Sequence, residues 1–235
     1  MMPGGGRLGF TYLGLADTPP HRDEYLATWE RQRQIHAHVV AGAAPPQVLF
    51  VEHDPVYTAG RRTQPDERPV DGTPVVDVDR GGKITYHGPG QLVGYPIVPL
   101  TRKIGPLEYV RRLEQAVMDL LALYSVETMR VDGRTGVWLA ATHGRPERKI
   151  CAIGIRVSKM TTLHGFALNV AAVSTGPFGS IVPCGIRDAG VTSLEDELGH
   201  APPPLVAVAH QLEPFLTAQL AFALHVAGPQ PEAAG

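Results

Sequence analysis

Apolar residues recur at three- and four-residue spacing after Pro106. Val110, Leu113, Val117, Leu120, Leu121 and Tyr124 fall on one stripe, which predicts a helix with one buried face. Residues 23–40 predict another helix, with Leu26, Trp29, Ile35 and Val39 on a less regular apolar face and Pro45 and Pro46 ending it. Residues 205–224 carry a helical pattern that Pro214 is expected to kink or divide. Short apolar runs bounded by glycine or proline predict strands over 47–52, 75–78, 84–87, 91–98, 136–141, 150–157 and 161–170. Gly81-Gly82 and Gly88-Pro89-Gly90 mark two tight turns, so the strands between 75 and 98 are expected to form an antiparallel meander. Helices and strands do not alternate strictly, which points to an α+β fold rather than a doubly wound parallel sheet.

No repeat or composition break divides the chain. One domain over 7–226 is expected, with flexible termini at 1–6 and 227–235 and a linker-like stretch at 202–204. The 26 glycines and 22 prolines are spread along the 235 residues, which fits a turn-rich sheet protein better than a disordered one. Charge is balanced, 21 basic against 23 acidic residues, so no global field would draw nucleic acid or an anionic membrane. The first thirty residues lack the apolar core of a signal peptide, and no apolar run approaches the roughly 18 residues that span a bilayer. A cytoplasmic protein is expected, with Cys151 and Cys184 as reduced thiols.

Four stretches carry candidate chemistry. Residues 80–96, RGGKITYHGPGQLVGYP, expose backbone through five glycines and set Arg80, Lys83 and His87 beside it. That pattern suits either a ligand cradle or a plain hairpin, and it lacks the spacing of a phosphate loop. In IVPCG, Cys184 sits on a turn between Pro183 and Gly185, which favours an accessible sulfur, although a free cysteine is more often a small buried hydrophobe. In KICAIGIR, a regular strand would place Lys149, Cys151 and Ile153 on one face, and an ammonium beside a thiol favours the reactive thiolate. Cys151 is therefore close to Lys149, while Cys184 has the better turn context, and the residues alone leave both open. His164 in HGFALN is a candidate base, although a lone histidine is more often structural. The ten histidines show no metal-binding pattern, and neither HExxH nor paired CxxC occurs. No metal and no cofactor are expected.

Together, in this order and spacing, the four stretches resemble the lipoyl(octanoyl) transferase family over about residues 23–198. The resemblance implies a mixed β-sheet flanked by helices, similar to lipoate and biotin protein ligase catalytic domains. It implies Cys184 as the acyl-thioester nucleophile and Lys149 as the residue that lowers its pKa, leaving Cys151 in the core. It also implies an acyl pocket built from Arg80, Gly81, Gly82, Lys83, Ile84, Thr85, Tyr86 and His87, from Ala152, Ile153 and Gly154, and from His164, Gly165, Phe166 and Ala167. Ile153 and Phe166 are expected as its apolar walls. The implied donor is octanoyl-acyl carrier protein, and the implied acceptors are lipoyl domains of 2-oxoacid dehydrogenases and the glycine cleavage H protein. A monomer is expected. ATP independence is expected too, because residues 59–64 lack the GRGRxG pattern of biotin ligases. Arg61, Arg62, Arg145 and Arg148 are expected to form a basic rim around the pocket. Residues 173–179 and 201–204 receive no role.

Overall fold

The computed structural model describes residues 7–181 and 189–225. In chain order its elements are β1 (Gly9–Leu13), α1 (Tyr25–Val40), β2 (Gln47–Val51), β3 (Val56–Ala59), β4 (Val75–Asp77), β5 (Thr85–His87) and β6 (Gln91–Ile97). There follow α2 (Pro106–Ala122), β7 (Met129–Val131), β8 (Arg134–Leu139), β9 (Arg148–Ser158), β10 (Thr161–Asn169), β11 (Gly190–Val191), α3 (Leu194–Leu198) and α4 (Leu205–Gln219). Seven strands form a mixed sheet in the order β1-β2-β6-β10-β9-β8-β7, and β11 adds an eighth against β9. Among the described residues, no helix is long and apolar enough to cross a membrane.

The sheet buries its two faces differently. One packs under α2 and α4 in the main core, which joins Val48, Phe50, Leu92, Phe166 and Leu168 to Leu113, Val117, Leu212 and Leu216. Pro106 starts α2 where its missing N–H costs nothing, and the expected stripe is buried from Val110 to Leu121. Helix α4 runs through Pro214 undivided and ends at Gln219. Its buried residues Val208, Ala209, Leu212 and Leu216 keep one face on both sides of the proline, and that packing offsets the lost hydrogen bond.

The other face carries α1, whose N-terminus is capped by the Glu24 carboxylate, accepting from Leu26 N and Ala27 N at 2.9 and 2.8 Å. The buried residues of α1 are Tyr25, Thr28, Gln32, His36 and Val39, whereas Leu26 is 52% exposed. The expected apolar face is thus corrected to a partly polar one. Its polar groups meet backbone: Gln32 Oε1 accepts from His164 N at 3.1 Å, and His36 Nε2 lies 3.1 Å from Ser158 O.

The expected meander is also corrected. Strands β4 and β5 flank β3 in a separate three-stranded sheet, β4 parallel and β5 antiparallel to it. Strand β6 leaves them after the Gly88–Gly90 turn and enters the main sheet between β2 and β10. Every residue of β6 is buried, so it needs cover on both faces, and only the centre of the larger sheet supplies that.

Candidate active site

Alternation along three paired strands builds the floor of a cleft. Gly165 pairs with Gly154 and Ala167 with Ala152, while on the other side of β10 Ala167 pairs with Val93. Ala152, Gly154, Gly165, Ala167, Val93 and Tyr95 therefore share the face turned toward α1. Four of these six have one side-chain carbon or none, so the floor is low. Arg80, Gly82, Lys83, Ile84, Thr85 and His87 form a wall, and Tyr25 comes from α1. The cleft is open at its mouth, and about 510 Å³ of space lies among these residues and in the solvent directly before them.

Ile153 and Phe166 border this space through their main chain. Their side chains turn to the α2–α4 core, and the Phe166 ring lies where a Cβ on Gly94 would stand, 2.1 Å from its Cζ. The expectation that they form apolar walls is corrected accordingly. Tyr86 and Gly81 also leave the lining. Tyr86 alternates away from Thr85 and His87 into a cluster with Tyr57, Ile84, Phe178 and Ile181, and Gly81 donates its N–H to Ile155 O at 3.0 Å. Sequence reasoning missed Tyr25, which lies on a helix outside the four stretches, and Val93 and Tyr95, which lie inside the first of them but read there as ordinary strand residues.

The polar groups around the cleft are already engaged. Arg80 donates to the carbonyls of Gly81, Lys83 and Thr58 at 2.7–2.9 Å and to Thr58 Oγ1 at 2.8 Å. A Cβ on Gly154 would come within 2.9 Å of Arg80 Cδ, so this glycine lets the arginine stem cross the floor. Burial, with the cationic surroundings, pushes His87 down to about 3. Burial likewise takes His53 to about 4, and Tyr95 O–H lies 2.8 Å from its Nε2. Burial and the guanidinium groups of Arg80, Arg156 and Arg33 lower His164, whose Nε2 sits 2.8 Å from Asp79 Oδ1. Asp79 is also taken by Arg156, and Lys83 pairs with Glu67. The histidines are neutral, no carboxylate among the described residues lines the space, and the floor is apolar. Such a cleft suits an uncharged aliphatic chain rather than a charged ligand.

A β-bulge sets the direction of Lys149. Val137 pairs with Cys151 but Trp138 pairs with Lys149, so Ile150 is an extra residue in β9. Ile150 and Cys151 both enter the main core, and Lys149 emerges on the opposite face, with Nζ 4.6 Å from the Trp138 ring centroid. Lys149 therefore does not share a face with Cys151 and Ile153, as unbroken alternation would require. It shares the face of Ala152 and Gly154, the cleft side. Gly136 faces the bulge at φ 122, where a Cβ would lie 2.5 Å from Cys151 O. Its N–H donates at 3.0 Å to the fully buried carboxylate of Glu114, which Arg111 and Arg130 also hold.

Cys151 is fully buried, and burial pushes its thiol pKa far up. Cys184 lies outside the described residues. The chain on either side of it is anchored. Ile181 and Phe178 pack on Tyr57 and Tyr86, and Pro177 O accepts from Tyr57 O–H at 2.8 Å. Beyond it, Gly190 and Val191 pair with Arg148 and Lys149. Residues 173–179, without a role in the sequence reading, thus include part of the first anchor. Of the expected basic rim, Arg61 and Arg62 are exposed on a turn bonded through their N–H groups to Arg80 O and Gly82 O. Arg148 is buried and bidentate on Glu197, and Arg145 reaches the same carboxylate at 2.9 Å. Those two close the β9–α3 junction and drop out of the rim.

A family model described as lipoyl protein ligase A/B catalytic domain matches residues 24–215. The chain belongs to that family. Within it, an octanoyltransferase of Cutibacterium acnes is 57% identical over 221 residues, 92% of this chain and 81% of that protein. Among solved structures, a bi-partite lipoate protein ligase from Thermoplasma acidophilum matches with a TM-score of 0.60 at 15% identity, covering 96% of this chain and 86% of the other. Biotin protein ligase from Aquifex aeolicus in complex with biotin and ATP gives 0.53 at 15% identity, covering 90% and 70%. At such identities the likeness concerns the fold, and it is the expected one: a mixed sheet flanked by helices, as in lipoate and biotin protein ligases.

Proposed function

We propose that octanoyl transfer by this member of the lipoyl protein ligase A/B family runs through a thioester on Cys184, with Lys149 handling the proton. One observation carries the reading: the bulge turns Lys149 to the same face of the sheet as the glycine- and alanine-floored cleft. Support comes also from the anchors at Ile181 and Gly190, since Cys184 is three residues from the first and six from the second.

In the first step the Cys184 thiol passes its proton to Lys149, and the thiolate attacks the octanoyl thioester on the pantetheine arm of an acyl carrier protein. The tetrahedral adduct collapses, the pantetheine sulfur leaves and takes the proton back from Lys149, and the octanoyl group remains on Cys184. In the second step the lysine amine of a lipoyl domain attacks that thioester. An amide forms, Cys184 leaves as thiolate, and the amine proton passes to Lys149. Two thioester-level steps replace one slow acyl transfer. The tail lies meanwhile on the low floor between Ala152 and Ala167.

The acceptor is a lipoyl domain. The reading extends to those of 2-oxoacid dehydrogenases and the glycine cleavage H protein, to a cytoplasmic setting, and to one catalytic domain over 7–226 acting as a monomer. Incubation with octanoyl-acyl carrier protein without ATP should add one octanoyl mass to the peptide containing Cys184, and a lipoyl domain should then remove it. ATP with free octanoate in place of the thioester should give no product. Efficient transfer from the free acid with ATP would replace this reading with a ligase.

A further inference from the structure

We propose that Gln91 and Asn169 are positioning residues, whose side chains hold the strand that follows Cys184 against the backbone of Lys149. The inference rests on the reading that Cys184 and Lys149 act together. It concerns two residues of the recognisable stretches to which that reading gives no task.

Five buried side chains form a single line of hydrogen bonds with a fixed direction. It begins at Arg80, whose Nη2 donates to Thr58 Oγ1 at 2.8 Å. The Thr58 hydroxyl, having accepted, faces His87 Nε2 at 3.3 Å, and His87 Nδ1 faces Gln91 Oε1 at 2.8 Å. Gln91 Nε2 donates to Asn169 Oδ1 at 2.9 Å, and Asn169 Nδ2 donates to Thr192 O at 3.0 Å. Thr192 N in turn donates to Lys149 O at 3.0 Å. Gln91 and Thr192 are fully buried, and Asn169 is 4% exposed.

Backbone carbonyls determine the direction. Gln91 Nε2 also lies 3.2 Å from Tyr86 O, an atom that can only accept, so this end of the amide is NH₂ and the other is the carbonyl. Thr192 O likewise only accepts, which fixes Asn169 with NH₂ toward Thr192 and its carbonyl toward Gln91. Gln91 Oε1 then requires a proton on His87 Nδ1 and leaves Nε2 to accept from Thr58. No member can turn over without leaving a buried donor or acceptor unpaired, and bonds in such a chain reinforce one another.

The line therefore runs one way, from an arginine that crosses the cleft floor to the backbone beside Lys149. Strand β11, at its far end, is only two residues long and pairs with Arg148 and Lys149. So short a strand is weakly held by its own ladder. Thr192 supplies the next bond of that ladder; Glu197 accepts from its hydroxyl, and Asn169 is the side chain that takes its carbonyl. Through it, the β10 floor strand sets where the chain returning from Cys184 meets Lys149.

The test uses the full chain, with Asn169→Leu and Gln91→Leu, and Leu113→Ala as a control that weakens the core far from the cleft. Thermal melting, kcat and KM for octanoyl-acyl carrier protein, and the rate of Cys184 alkylation by iodoacetamide are measured well below each melting point. Asn169→Leu and Gln91→Leu should lower kcat and the alkylation rate together by at least tenfold, with KM changed less than twofold. Leu113→Ala should lose melting temperature while keeping kcat. If Asn169→Leu does not fold, Asn169→Asp carries the test, since it keeps the acceptor for Gln91 and sets an oxygen in place of the donor against Thr192 O. Normal kcat and alkylation beside a lowered melting temperature would overturn the proposal. So would a change in KM alone, which would assign the line to shaping the cleft. Turnover by Cys184→Ser or Lys149→Ala at the wild-type rate would instead defeat the thioester reading.

Discussion

Lys149 illustrates what a single position gains from its neighbours. Its charge is conventional, but the extra residue Ile150 and the left-handed Gly136 decide which face it serves. Arginine at this position keeps the charge and is effectively never deprotonated. Lys149→Arg is expected to keep rapid iodoacetamide alkylation of Cys184 and to lose octanoyl transfer by at least two orders of magnitude. Retention of both would assign Lys149 to the electric field alone. Cys151→Ser should retain turnover and lose about 1–3 kcal/mol of stability, the cost of a hydroxyl in a packed core. The identity of the candidate residues was legible because glycine, cysteine and lysine carry their chemistry in their names. The face of Lys149 was not, because a bulge depends on the partner strand. Arg145 and Arg148 were misread for a related reason: Glu197, which takes both, lies about fifty residues away in sequence.

Elements with a clear period were legible and those set by pairing were not. Strands β9 and β10 read well from alternation, but β1, β3 and β7 have three to five residues and no pattern long enough to register. The hairpin between β9 and β10 is a further instance. Ser158 pairs with Thr161, so Lys159 and Met160 alone make the turn, both left-handed at φ 49 and 55. A two-residue turn of this kind favours Asn-Gly, and an L side chain there costs about 1–2 kcal/mol. Nothing in Lys-Met announces it. Met160 is 51% exposed, so replacing it forfeits little burial. Lys159→Asn with Met160→Gly is expected to stabilise the protein by about 1–2 kcal/mol, which for a chain of this size raises Tm by about 2–8 °C. Octanoyl transfer should be unchanged, since the turn lies outside the cleft lining. A lower Tm would show that the side chains, not the backbone, hold this turn.

At the scale of the whole molecule, the sheet separates the main apolar core under α2 and α4 from an interior under α1 where apolar side chains and buried polar groups mix, and the cleft belongs to the second. The α+β class followed from the order of elements. The division between the two small-sheet strands and β6 did not, because local turn signals cannot say which sheet a strand joins. The buried polar groups have a measurable consequence. His53 and His87 are buried as neutral rings, near 4 and near 3, whereas an unfolded chain would titrate them near 6.5. The unfolded state thus binds more protons below about pH 6.5, and stability present above that value is lost as pH falls toward the folded values. Each histidine forfeits about 1.4 kcal/mol per pH unit in that window, so moving from about pH 7 to about pH 5 should remove about 4 kcal/mol for the pair. Glu197, held near 2 chiefly by Arg148, contributes its own loss only at lower pH, as pH falls from 4.5 toward about 2. Chemical denaturation across this range should therefore show stability falling well before carboxylates titrate. A stability that stays level down to about pH 5 would mean that His53 and His87 are already solvated or already charged in the folded protein.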